Sequence, residues 1–166
     1  MIEKMSDRQS LIRRRIIYPK YLSNLLKLLI FPISYRDLGT PDEAEKLRAQ
    51  SQVFEGMASR TIELDFSIHE VERFKKVFNN LSVLNISRIY LWIEGSIDCG
   101  LVKIDSLADI NVEYLLSSAD WGIMGLLSED MKDYLLLEIN EYNDGLKVGL
   151  DAKGANWGAI DFSHIQ

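Results

Sequence analysis

Apolar and polar residues alternate along Tyr134–Asp151 (YLLLEINEYNDGLKVGLD) in two runs separated by Asn143-Asp144-Gly145. Asp-Gly supplies the two positive-φ residues of a type I′ turn. A two-residue loop at Asp144-Gly145 then sets Asn143 opposite Leu146, Tyr142 opposite Lys147, Glu141 opposite Val148, Asn140 opposite Gly149 and Ile139 opposite Leu150. In that register Leu135, Leu137 and Ile139 share a face with Leu146, Val148 and Leu150, and Glu138, Asn140, Tyr142, Lys147 and Asp151 share the other. A three-residue loop slips the pairing by one and mixes Leu146 and Val148 with Tyr142, Asn140 and Glu138. The two-residue turn is therefore expected, giving a hairpin with one core face and one wet, largely acidic face.

The same patterns place the other elements. Pro19 suits the first position of a helix ending before Pro32, with Leu22, Leu25, Leu26 and Leu29 on one face. Thr40 as cap, Pro41 and then Asp42 and Glu43 at the positive end of the dipole predict a helix from Pro41 to about Gly56. Ile62, Leu64 and Phe66 alternate with polar residues over Arg60–Phe66, a half-buried strand. Ser67 and Glu70 form a capping-box pattern ahead of Ile68, Val71, Phe74, Val77 and Phe78, a helix to about Asn80. Ser87–Glu94 is apolar on both faces and reads as an interior strand. Gly95-Ser96 is expected to turn into a second strand, Ile97–Ile104, containing Cys99 and Gly100. Ser106 and Asp109 cap a short helix to about Ser118. Trp121–Leu127 fits a strand or a helical turn and is taken as a strand, with Ser128–Asp133 as the loop into the hairpin. Lys153-Gly154-Ala155 then turns into a last strand, Trp157–Phe162. The fold class expected is α+β, an antiparallel meander sheet in the C-terminal half covered by helices from the N-terminal half. Residues 37–166 form one domain, preceded by a basic segment, 1–36, carrying a short amphipathic helix. Asp120-Trp121-Gly122-Ile123 echoes Asn156-Trp157-Gly158-Ala159, but no longer period supports a repeat.

Composition adds a reducing compartment and an uneven charge. With 166 residues and one cysteine, Cys99, the chain builds one core and no internal disulfide, which fits a cytoplasmic protein. No stretch of about 18 apolar residues exists to cross a membrane. The net charge is −6, yet residues 1–36 carry eight cations against Glu3 and Asp7, a balance of +6 that leaves −12 for the remainder. Arg13-Arg14-Arg15 ahead of apolar residues suggests a signal peptide, but Pro19, Lys20, Asn24 and Lys27 break the apolar region and no small-residue cleavage site follows. A helix docked on the domain, a basic membrane-surface helix and a nucleic-acid-contacting arm all fit this segment.

Candidate chemistry is sparse. Nucleophilic catalysis needs a nucleophile beside an oriented base, and the chain offers only His69, His164 and a Cys99 at no recognised spacing from either. CxxC, HExxH and the calcium-loop pattern are absent, and Gly122-Ile123-Met124-Gly125 lacks the rest of a phosphate loop. Glu129, Asp130 and Asp133 cluster, as Asp109 and Glu113 do, and fit weak cation ligation or, more commonly, a solvated acidic surface. An enzyme with a pocket of scattered carboxylates such as Glu94 and Asp98 remains a third class. Tyr90, Trp92, Tyr134, Tyr142 and Trp157 lie among acids rather than cations. That arrangement argues against nucleic acid and fits either core packing or a protein interface facing arginine and lysine.

A small, acidic α+β chain without catalytic parts, with aromatics among carboxylates, resembles the bacterial immunity proteins of contact-dependent growth inhibition systems. The resemblance is one of general character over the C-terminal two thirds, and no signature motif carries a residue across. It implies a non-catalytic cytoplasmic protein, needing no cofactor or metal, that occludes a cognate basic, nuclease-type toxin. The partners expected exclude nucleic acid and stable membrane insertion. The contact residues expected are Glu129, Asp130, Asp133, Glu138, Tyr142, Asp144 and Asp151. The alternative is a regulatory or scaffold domain binding a peptide or protein, by strand addition to an exposed edge such as Trp157–Phe162.

Overall fold

The computed structural model describes residues 7–165; residues 1–6 of the basic segment and Gln166 lie outside it. Six strands, β1 (Ser59–Asp65), β2 (Ile89–Trp92), β3 (Val102–Ile104), β4 (Ile123–Ser128), β5 (Asp133–Tyr142) and β6 (Gly145–Gly154), form one antiparallel sheet in the order β1-β6-β5-β4-β2-β3. The hairpin joins β5 to β6, but its register is not the expected one. Tyr142 faces Gly145, Glu141 faces Leu146 and Ile139 faces Val148, so the loop is Asn143-Asp144. Neither loop residue takes positive φ, and the single positive φ falls on Gly145 at 129°. The reason is steric: an L-residue at positive φ costs about 1–2 kcal/mol, so one glycine serves where Asp144 would otherwise be strained. The shift is by two residues. Because side chains repeat with period two, every face assignment survives it, and Leu135, Leu137, Val148 and Leu150 are buried together.

Helices cover the sheet on two sides. On the first, α1 (Asp7–Leu28), α3 (Val71–Leu84) and the short α5 (Val112–Leu115) pack Tyr21, Leu25, Leu28, Phe74, Phe78, Leu81 and Leu115 against the inward residues of all six strands. On the second, α2 (Pro41–Ser51) buries Ala44 and Leu47, with Phe54 just beyond its end, against Leu101 and Leu127. Thr40 caps α2 by accepting from the Glu43 N–H at 3.2 Å, with Pro41 in the first turn, as the sequence predicts. α1 begins twelve residues earlier than expected and runs through Pro19. Pro19 and Arg15 are both exposed, so solvent hydrates the carbonyl freed by the missing N–H, while an Arg13–Asp98 ion pair at 3.1 Å anchors the turns before the proline.

Of the expected strand Ile97–Ile104 only Val102–Ile104 forms, as β3, and the expected strand Trp157–Phe162 is absent. Ser96–Cys99 is a one-turn helix, α4, between Gly95 at φ 95° and Gly100 at φ 96°. A Cβ on Gly100 would stand 1.9 Å from the Gly39 carbonyl oxygen, so the chain cannot extend here with any side chain. The Tyr21 hydroxyl donates to the Gly100 carbonyl at 2.6 Å and meets Ser96 Oγ at 3.2 Å, fastening α1 to α4. Burial pushes the Tyr21 phenol up to about 12. Trp157–Phe162 is no strand either: β6 ends at Gly154, and Trp157–Ala159 is a 3-10 turn.

The last departure follows from Asp133, which is fully buried at the start of β5. Its Oδ1 accepts from the Asn156 and Trp157 backbone N–H groups at 2.7 and 2.8 Å, and its Oδ2 from the Asn85 and Asn156 side-chain amides at 2.6 and 2.7 Å. Those backbone donors are therefore unavailable to a neighbouring strand. Trp157 Nε1 donates to the Leu81 carbonyl at 2.9 Å, so the carboxylate ties the end of β6 to the end of α3. Asp133→Ala strands four donors in the interior and is expected to cost about 3 kcal/mol or more. Asp130→Ala, at an exposed neighbour, should cost about 1 kcal/mol or less. Urea midpoints at constant m measure both, and equal midpoints would remove Asp133 from this role.

Candidate functional site

Where α2 stops, the second face of the sheet opens. Direct pairing lays its residues out in rows: Thr61, Asp151, Leu136, Gly125 and Trp92 across five strands, then Glu63, Gly149, Glu138 and Ile123, then Asp65, Lys147 and Asn140. Strands β2 and β4 are apolar on this side too, because α2 shields part of them. Strands β1, β5 and β6 are polar here because nothing covers them. The uncovered part carries Glu63, Asp65, Glu138, Asp144 and Asp151 against Lys147 and Lys153.

At the boundary between the covered and open parts lies a cleft of about 540 Å³, lined by Trp92, Trp121, Ile123, Tyr134 and Leu136 with Arg48, Glu94 and Asp120 around them. Gly125 makes it: a Cβ there would stand 2.8 Å from the Tyr134 hydroxyl and 3.3 Å from Trp92 Cβ. Phe54 stacks on Tyr134 with ring centroids 5.8 Å apart, which fixes the wall beside α2. Burial, and after it the Asp151 charge, raises the Tyr134 phenol above its ordinary value. Ile123 is exposed at the other side.

The residues expected from sequence separate into three groups. Glu138, Tyr142, Asp144 and Asp151 share the open face. Tyr142 donates its hydroxyl to Glu63 Oε1 at 2.5 Å, Lys147 lies 3.3 Å from Asp144 and 5.5 Å from the Tyr142 ring centroid, and Lys153 lies 3.5 Å from Asp151. Asp151 Oδ1 is buried without a hydrogen-bond donor among the described residues. Glu129 and Asp130 stand apart in the β4–β5 turn, Glu129 accepting from Lys103 Nζ at 2.7 Å and Asp130 from the Asn85 amide at 3.2 Å. Asp133 belongs to the interior and touches no solvent. Sequence reasoning missed Glu63, Ile123 and Leu136 as neighbours of this surface. The usable signal was the contrast between strands apolar on both faces and strands that alternate.

Trp121 and Trp157 are core residues, and Trp121 Nε1 donates to the Leu115 carbonyl at 2.8 Å. Cys99 is fully buried, and burial raises its thiol, which suppresses the nucleophilic thiolate. His69 is exposed, and so is His164, 3.5 Å from Asp161. Among the described residues no three His, Cys, Asp or Glu side chains are grouped to hold a metal. The arrangement offers contact surface, charge and an apolar cleft. No protein-family profile, curated protein or solved structure matches the chain.

The Glu63 hydrogen bond holds the Tyr142 phenol above its ordinary value, because the carboxylate favours the O–H and disfavours a second negative charge beside it. Glu63→Gln keeps an acceptor and removes the charge, so Tyr142 should ionise at lower pH in that variant. Spectroscopic pH titration, with Tyr142→Phe subtracted, reads the change, and an unmoved titration would dissociate the pair.

Proposed function

We propose that this chain is an immunity-type protein, a non-catalytic cytoplasmic domain that binds a cognate basic, nuclease-type bacterial toxin and occludes its active site. The observation that carries this reading is the union, on one uncovered sheet face, of five carboxylates against two lysines with an apolar cleft at its border. The two parts have different tasks. Excess negative charge steers a cationic nucleic-acid-binding groove into encounter and competes with phosphate for it. Trp92, Leu136 and Ile123 supply desolvated anchor area, which decides the lifetime of a complex more than its formation. The three uncovered strands, about 4.8 Å apart, offer a footprint of about 450 Å², which the bordering cleft extends toward the roughly 800 Å² each partner buries in a standard interface.

A peptide-binding regulatory domain is the second reading, favoured by the apolar cleft and by the free edge of β1, which replaces Trp157–Phe162 as the place for strand addition. The two differ in what charge does. Against a toxin domain encoded beside this chain, Glu138→Lys combined with Asp144→Lys should slow association about tenfold at low salt and much less at high salt. Trp92→Ala should chiefly speed dissociation. Stopped-flow association across a salt series distinguishes them. A salt-independent rate, or no binding to that domain, counts against toxin occlusion.

A further inference from the structure

Helix α1 is apolar on two opposite sides. At 100° per residue, Tyr21, Leu25 and Leu28 centre on the side packed into the core. Ile12, Ile16, Ser23 and Leu26 fall within an arc of about 80° diametrically across from it. That outer stripe is open to solvent: Ile12 is 51%, Ile16 73% and Leu26 46% exposed, and Ile30 continues it at 65% beyond the helix end. Core packing explains the first side and leaves the second without a partner among the described residues.

Charge indicates the partner. Residues 7–30 hold six cations against Asp7. Arg8 and Arg15 flank the stripe on one margin, and Lys20 and Lys27 on the other. Arg13 and Arg14 are engaged elsewhere, by Asp98 at 3.1 Å and by the Tyr35 ring at 5.5 Å. Among the described residues Lys20 has a long contact of 3.9 Å to an exposed Glu94. An aliphatic stripe about 21 Å long between two rows of cations matches a surface that is apolar beneath and anionic above. Single-stranded nucleic acid would call for aromatic stacking surfaces in the stripe, and the stripe has none, while duplex phosphates would leave its isoleucines uncovered.

We propose that the outer face of α1 binds the interface of an anionic phospholipid bilayer, lying in its plane with Ile12, Ile16, Leu26 and Ile30 immersed and Arg8, Arg15, Lys20 and Lys27 at the headgroups. The helix does not cross, for no helix among the described residues is long and apolar enough to do so. The acidic remainder of the chain, at −12 beyond residue 36, is repelled by the same headgroups and fixes which side approaches. This inference is independent of any toxin.

The test is co-sedimentation of the full chain with vesicles of phosphatidylcholine alone, or with about one third phosphatidylglycerol. Binding is expected to the anionic vesicles only, and to weaken as salt rises. Ile12→Glu combined with Ile16→Glu should abolish it, and Arg8→Glu combined with Arg15→Glu should lower it by at least about fivefold per cation lost. All four positions lie outside the core, so an unchanged thermal melt verifies the fold of both variants. A third variant, Ile30→Glu, lies outside the helix and should weaken binding without touching helix stability. Equal binding to neutral vesicles, no binding to either kind, or full binding by the isoleucine variant overturns the proposal. So does retention on single-stranded RNA without vesicle binding, or a dimer in light scattering that the isoleucine variant turns to monomer.

Discussion

A buried carboxylate stands only where donors surround it, and Asp133 imposes that condition on two other parts of the chain. Asn85 after α3, Asn156 after β6 and the Trp157 backbone must all arrive at one point for the anion to be satisfied. Gly154 is part of the same condition, because a Cβ there would fall 2.1 Å from the Lys132 carbonyl oxygen and 2.7 Å from Asp133 Cα. One end of the hairpin is thus clamped by polar contacts of fixed geometry, and the other is an exposed turn over Asn143 and Asp144. The contact surface inherits that gradient. Its cleft lies beside the clamped, α2-buttressed part of the sheet, and its acidic residues extend toward the free tip.

Alternation proved more informative than turn chemistry. The pairing of β5 with β6 differs by two residues from the one that Asp-Gly suggests, yet a shift of two moves no side chain to the other face, so the core and the open surface were both legible in YLLLEINEYNDGLKVGLD. The double-sided apolar character of β2 pointed in the same way to a covered end of the sheet. It could not say that α2, with Phe54 beyond its end, does the covering from the second side, since nothing local to Pro41–Phe54 distinguishes one face of a distant sheet from the other.

The failures share a cause. Cys99 and Trp157 sit in stretches whose local pattern permits strand, and each was withdrawn by a partner remote in sequence: Gly39 pressing on Gly100, and Asp133 drawing off the N–H groups of Asn156 and Trp157. Asp133 itself reads as one more acid beside Glu129 and Asp130. Its burial is written in asparagines 48 and 23 residues away. For the same reason the candidate surface was legible as a face and not as a cleft, because the cleft depends on Gly125 standing between Trp92 and Tyr134, a meeting of three strands.

The position of β1 in the sheet sets the order of events during synthesis. Ser59 pairs with Lys153 and Asp65 with Lys147, so the first strand made has its sole partner in the last. At ribosomal speed that partner follows on the order of ten seconds later. During that interval β1, with Leu64 destined for the core, has no ladder to join, and the sheet grows from β2 through β5 without its far edge. Closure of the long loop between β1 and β6 makes completion of the sheet a late, non-local step. From the synthesis of β1 to that of β6 the strand is thus open to misassociation, and pairing with β6 closes that interval.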